Sequence, residues 1–174
     1  MSTLRLLGID PGLRVTGYGI IDVSGDRLTL VEAGVIAPKA SWPLARRLAS
    51  LYEGMAAIVA ASAPHAMVVE ELYTTYKNPQ TAVLMGHARG VIYLAAGQRG
   101  IEVHHLGHSL VKRALTGAGS ARKDQVKKMV VRLLRLRELP QPDDVSDALA
   151  LALAYANIKA HDDRFDVLRI VGAR

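Results

Sequence analysis

Four acidic residues of this chain stand at positions where a carboxylate is costly unless it does chemistry. Asp10 ends the apolar stretch LRLLGID, Glu70 ends AMVVE, and Asp144 and Asp147 lie three residues apart in QPDDVSDALALALA. A carboxylate at the end of a buried strand loses hydration that only a partner can restore. The spacing of three puts Asp144 and Asp147 on one helix face, about 4.5 Å apart along the axis. Carboxylates packed within ~4 Å repel by roughly 4 kcal/mol per pair at an effective dielectric of ~20 unless cations intervene. Two divalent ions would neutralise all four. Oxygen donors select Mg²⁺, with Mn²⁺ as the natural substitute, over zinc or copper. Paired ions roughly 3.5–4 Å apart activate a water and stabilise the leaving oxygen in phosphoryl transfer. The chemistry indicated is metal-assisted phosphodiester hydrolysis.

The other acids have simpler explanations. Glu53, Asp124 and Glu138 fall on polar helix faces, Asp22 and Asp26 in turns, and Asp143, directly after Pro142, suits a helix cap. Because Asp143 and Asp144 are adjacent, a shifted loop would exchange them as ligands. The choice of Asp144 rests on its spacing to Asp147.

Positioning these groups requires a sheet whose strand ends meet at one edge. LLGID, then RVTGYGIID after the Pro11-Gly12 turn, then RLTLVEAGVIA after Ser24-Gly25-Asp26, predict three consecutive strands and an antiparallel meander. Ser41 is the expected cap of a helix with Pro43 in its first turn, running to before Pro64. AMVVEELY predicts a fourth strand and IEVHHL a fifth, separated by a helix from Pro79 to about Gly100. SLVKRAL, a basic segment from about Arg122 to Arg135, and a segment from about Asp143 to Ile158 predict three more helices. Strands reached through helices run parallel, which gives an α/β fold with a five-stranded mixed sheet covered on both faces. Residues 1–174 are expected to form one domain, with a loosely held polar tail after about residue 160.

Composition narrows the partners. Twenty-two Lys and Arg against 16 Asp and Glu leave a net charge of +6, which favours an anionic partner. Nine basic residues and one acid lie between Lys112 and Arg137. Within them, TGAGSARK runs from a glycine loop into a helix start, offering backbone N–H groups and Lys123 to phosphate. Tyr73, Tyr76 and Lys77 share a polar loop just past Glu70. No run approaches the ~20 apolar residues that span a bilayer, and the N-terminal run is too short for a signal peptide, so a cytoplasmic location is expected. The chain has no cysteine, hence no disulfide, thiolate nucleophile or Cys–zinc site. His104, His105 and His108 straddle a strand end and a helix start, a poor arrangement for zinc. Gly86 and Gly90 have the spacing of a close helix contact, on the sheet or between two copies.

In order along nearly the whole chain, GIDPGLRVTGYGIID, VVEELY, GHARGVI, GSARKDQVKKMV and DDVSDALALALA closely resemble the RuvC-type Holliday-junction resolvases of bacteria. The resemblance implies an RNase H-like fold and a Mg²⁺-dependent homodimer that makes paired symmetric nicks, in strands of like polarity, at a four-way DNA junction. It also implies work beside the branch-migration proteins RuvA and RuvB in recombination and repair. By position, Asp10, Glu70, Asp144 and Asp147 match the four catalytic acids, and Lys112 and Lys123 match basic DNA-binding positions. Arg113 and Lys77 are grouped with them, and Tyr73 matches an aromatic that stacks on junction bases, worth ~1–3 kcal/mol per base. Two other functions share some of these features. A related nuclease acting on other branched DNA or on RNA–DNA hybrids would need the same acids. An actin-like ATP-binding module also opens on an Asp-x-Gly hairpin, but needs two such halves.

Overall fold

The computed structural model describes residues 3–71 and 79–171, with side chains through residue 161. The described elements are β1 (Leu4–Asp10), β2 (Thr16–Ser24), β3 (Arg27–Ile36), α1 (Leu44–Ser62), β4 (Ala66–Glu70) and α2 (Pro79–Gly97), followed by β5 (Glu102–Leu106), α3 (His108–Thr116), α4 (Lys123–Leu133) and α5 (Asp143–Val171). The strands form one sheet in the order β3-β2-β1-β4-β5. β1, β2 and β3 pair antiparallel, while β4 runs parallel to β1 and β5 parallel to β4, the mixed sheet expected from the sequence.

The two-residue period of the strands divides the core. Leu7, Ile9, Ile20, Met67 and Val69 pack against Met55 and Val59 of α1 and Ile92, Ala95 and Ala96 of α2. Leu6, Ile21, Ala66 and Val68 face the other way, into a larger cluster with α3, α4 and α5. α5 carries the sequence LALALA through this second layer, and Ala148 to Ala154 are all at most 2 % exposed. A helix apolar on all sides is what a central buried element requires. Among the described residues no helix is long and apolar enough to cross a membrane.

Element ends differ from the sequence reading in physical ways. Pro43, not Ser41, is the residue flanking α1, and no side chain caps it. α2 stops at Gly97, three residues before Gly100, which has φ +64°. α5 continues past Ile158 to Val171, since no glycine or proline interrupts the sequence between Pro142 and Gly172. One register shift lies between Ile20 and Ile21, where Val31 is the extra residue on β3.

Candidate active site

Asp10 and Glu70 inherit their direction from the strands. On β1, Leu6 belongs to the α5 layer and Leu7 and Ile9 to the opposite one, so Asp10 falls on the α5 side. On β4 the same count from Ala66 and Val68 puts Glu70 on that side too. Ile9 is in register with Val69, so the next residues of these adjacent parallel strands, Asp10 and Glu70, end side by side.

α5 reaches these strand ends because glycines let it. A Cβ on Gly8 would lie 2.0 Å from the Ala148 carbonyl oxygen, and one on Gly17 would lie 2.1 Å from that of Asp144. The helix backbone therefore rests directly on the sheet. Gly17 is the β2 partner of Asp10, so the first turn of α5 brings Asp144 next to Asp10. The hairpin between β1 and β2 is tied by Thr16, whose hydroxyl donates to the Gly12 carbonyl at 2.6 Å and accepts from the Gly12 N–H at 3.1 Å. Arg47 of α1 adds a bond to the Leu13 carbonyl at 3.0 Å.

The four carboxylates feel one another. Burial pushes the Asp10 carboxyl up to about 7, helped by the negative charges of Glu70, Asp147 and Asp144, while Lys123 opposes the shift. Glu70 is raised as well, mainly by burial, against the pull of His108, Arg89 and Lys123. The Lys123 ammonium lies 2.7 Å from Asp147 and 3.6 Å from Asp143, and its bond to Asp147 raises its own pKa. Among the described residues no three His, Asp or Glu side chains close around a single metal position. The oxygen donors and their mutual repulsion nevertheless suit a hard divalent cation, and the Lys123 ammonium occupies the corresponding electrostatic role beside Asp147.

Asp143 has a different environment. It is exposed, 2.5 Å from Lys127, and held below the usual carboxylate range first by that contact and then by Lys123. The two adjacent aspartates are therefore separated: Asp144 turns towards Asp10 and Asp143 towards α4.

Glu70, His108, Lys112, Lys123 and Asp147 line a cleft of about 340 Å³ between α3, α4 and α5. Lys112 and Lys123 thus flank the acids, whereas Arg113 is exposed on α3 and does not line the cleft. α4 starts at Lys123, with the Gln125 side chain accepting from the Arg122 N–H at 2.8 Å. Tyr73 and Lys77 lie outside the described residues. Sequence reasoning missed two groups. His108, considered only as part of a poor zinc arrangement, places Nδ1 2.9 Å from the Glu70 carboxylate, and Arg89, hidden in GHARGVI, is 7 % exposed beneath the same residue. A charged residue within an apolar helical stretch was the available signal for Arg89. His104 and His105 point to opposite sheet faces, towards Tyr155 and Tyr93.

Comparison with known proteins identifies the family and the fold. Residues 6–155 match the family described as crossover junction endodeoxyribonuclease RuvC. The protein of that name from Rhodopirellula baltica is 46 % identical over 152 residues, covering 87 % of this chain and 85 % of the relative. The Thermus thermophilus RuvC structure superposes with a TM-score of 0.85 at 31 % identity, covering 91 % of this chain and 97 % of that one. The T. thermophilus RuvC in complex with a Holliday junction substrate gives 0.84 at 30 % identity, covering 91 % and 96 %. An RNase H-like sheet, four acids at its edge and this extent of likeness lead to one assignment: the chain belongs to the RuvC family of crossover junction endodeoxyribonucleases.

Proposed function

We propose that this chain resolves Holliday junctions, hydrolysing one phosphodiester in each of two strands of like polarity, as a cytoplasmic enzyme of recombination and repair. The observation that carries the reading is the gathering of Asp10, Glu70, Asp144 and Asp147 in one another's field beside a cleft lined by Lys112 and Lys123. The names of its relatives and the junction-bound relative support the same substrate.

In this proposal the four carboxylates hold two Mg²⁺ ions, for which Mn²⁺ can substitute. The ions supply the charge that activates a water and stabilises the departing oxygen. Asp10 and Glu70, at the ends of central strands, fix their carboxylates rigidly, and Asp144 and Asp147 complete the set from the first two turns of α5. Lys112 and Lys123 hold the phosphates that flank the cut, with Arg113 on the outer side of α3. Tyr73 and Lys77 are assigned to the junction's unpaired bases and backbone.

Two nicks require two sites, and we assign the enzyme as a homodimer. α2 supports this: Val83 and Leu94 are 58 % and 53 % exposed, and among the described residues nothing beyond the helix's own backbone lies within 4 Å of a Cβ built at Gly86 or Gly90. That stripe has room for the same helix of a second copy. RuvA and RuvB are the proposed partners on the junction.

One incubation tests the class. With Mg²⁺, a mobile junction, a linear duplex and an RNA–DNA hybrid are supplied and nicks are mapped on every strand. Symmetric nicks confined to the junction are expected, and cutting of the hybrid would overturn the assignment. Asp10→Asn is expected to abolish cleavage while junction binding survives, and cleavage at the wild-type rate would remove Asp10 from the site.

A further inference from the structure

We infer that Arg89 is a positioning residue for Glu70, acting through the main chain from the face of the sheet opposite the reaction. The inference rests on the assignment of Glu70 to the active site. Arg89 lies on α2, on the side of the sheet away from α5, and is 7 % exposed. One guanidinium nitrogen donates to the backbone carbonyl of Glu70 and another to the hydroxyl of Tyr93, one turn along α2. The guanidinium also lies 5.3 Å from the Tyr93 ring centre. Among the described residues no carboxylate lies within ion-pair distance of it.

A buried cation with no carboxylate in ion-pair contact, only the longer-range charge of Glu70, is costly, and an apolar residue of similar volume would pack there without that cost. What arginine offers instead is a rigid fork that holds two acceptors in fixed relation. Its target is well chosen. Glu70 is the last residue of β4, where the ladder no longer holds the chain from both sides. The Glu71 N–H donates to the Leu106 carbonyl at 2.9 Å, and Arg89 takes the Glu70 carbonyl, so the peptide leaving Glu70 is fixed at both its groups. His108 then holds the side chain at 2.9 Å. With the peptide plane fixed from below and the carboxylate from above, Glu70 keeps one direction relative to Asp10. Tyr93 orients Arg89 and is itself packed edge-on against His105, with ring centres 5.5 Å apart.

The test compares Arg89→Met, Arg89→Lys, Tyr93→Phe and Glu70→Gln with the wild type. Hydrogen exchange reports the local hold, Mn²⁺ titration of single-turnover junction cleavage reports the site, and junction binding without divalent cations reports the DNA surface. Arg89→Met is expected to raise the Mn²⁺ concentration for half-maximal cleavage by about tenfold or more, the range typical of groups that orient metal-binding side chains. Amide exchange should accelerate in a peptide covering residues 66–71 and stay unchanged in one covering 4–10. Junction affinity should remain within about twofold, because Arg89 is buried on the α2 side of the sheet and does not line the cleft of Lys112 and Lys123. Arg89→Lys retains the charge but not the fork and should recover only part of the effect, and Tyr93→Phe, which keeps the core filled, should shift both readouts in the same direction. An Mn²⁺ dependence equal to that of the wild type in folded Arg89→Met and Tyr93→Phe would overturn the inference. If Glu70→Gln itself cleaves normally, the site assignment fails instead, and the two failures are distinct.

Discussion

Gly17→Ala is the most direct probe of how the site is assembled. The added Cβ would lie 2.1 Å from the Asp144 carbonyl oxygen, 2.4 Å from its carbonyl carbon and 2.9 Å from its Cβ. Ordinary contact begins at 3.4 Å, so the start of α5 must retreat by at least about 1.3 Å. Neither side can yield by a rotamer change, because one is strand backbone and the other helix backbone. Overpacking of this kind costs typically 1–3 kcal/mol, and a main-chain clash belongs at the upper end, about 3 kcal/mol. For a chain of this size that lowers Tm by roughly 6–12 °C. The catalytic effect is of similar size, since a displacement of about 1 Å at a reacting centre can reduce the rate ~100-fold, about 2.7 kcal/mol. Thermal unfolding followed by circular dichroism gives the first quantity, and single-turnover cleavage of a mobile junction at a temperature where the variant is folded gives the second. Junction binding should persist, because the lysines of α3 and α4 are untouched. A Tm within about 1 °C of the wild type, together with cleavage within about threefold, would show that the close approach at Gly17 does not set the position of Asp144.

Asp144→Asn is expected to abolish cleavage, whereas Asp143→Asn, which loses only its contacts to Lys127 and Lys123, should cleave within about threefold of the wild type. The reverse order would exchange their roles. Lys112→Ala should weaken junction binding and lower the magnitude of the salt slope by about one, measured as log K against log salt; an unchanged slope removes Lys112 from the DNA contact. Asp22 pairs with Arg5 through two bonds of 2.8 Å, and this contact holds its carboxyl below the usual range. The folded state thus binds that proton more weakly than the unfolded chain, so the stabilisation is complete above the unfolded pKa of ~3.9 and is lost as pH falls through the lower folded value. Asp22→Asn should therefore lower stability at neutral pH by about 1 kcal/mol. Its Tm deficit should close as pH falls below about 3, and a deficit independent of pH would refute the linkage.

The elements that carry Asp10 and Glu70 were readable because apolar runs that end in acids report strand, burial and edge at once. The parallel direction of β4 followed from connectivity alone, since a helix lies between the Ala66–Glu70 strand and the meander; that β4 lies directly beside β1 did not. Asp144 was chosen over Asp143 by spacing, and the structure supplies a physical distinction: Gly17 receives the turn of Asp144, while Lys127 draws Asp143 outward. Contacts across the sheet were not legible. Nothing in GHARGVI states that Arg89 ends beneath Glu70, because that depends on α2 and β4 meeting through the fold. His108 was missed for a related reason, as its partner lies 38 positions earlier in the sequence. Helix ends were read less well than helix centres. Caps are single residues whose side chains need not bond, as at Pro43, and a helix stops only where something stops it.

The pairing of α4 with the start of α5 changes what binding a phosphate means for this surface. Lys127 already touches Asp143 at 2.5 Å, and Lys123 touches Asp147 at 2.7 Å. These ammonium groups do not wait in bulk solvent with their charge unspent. If DNA is held here as proposed, its phosphates would displace a carboxylate, an exchange of one anion for another. Under the proposed function, Asp147 would then hold a divalent ion in place of the ammonium, and Lys123 would be free. On that proposal, substrate and metal would favour each other's binding through one lysine without any movement of the fold, since each would relieve the other of the Lys123–Asp147 pair.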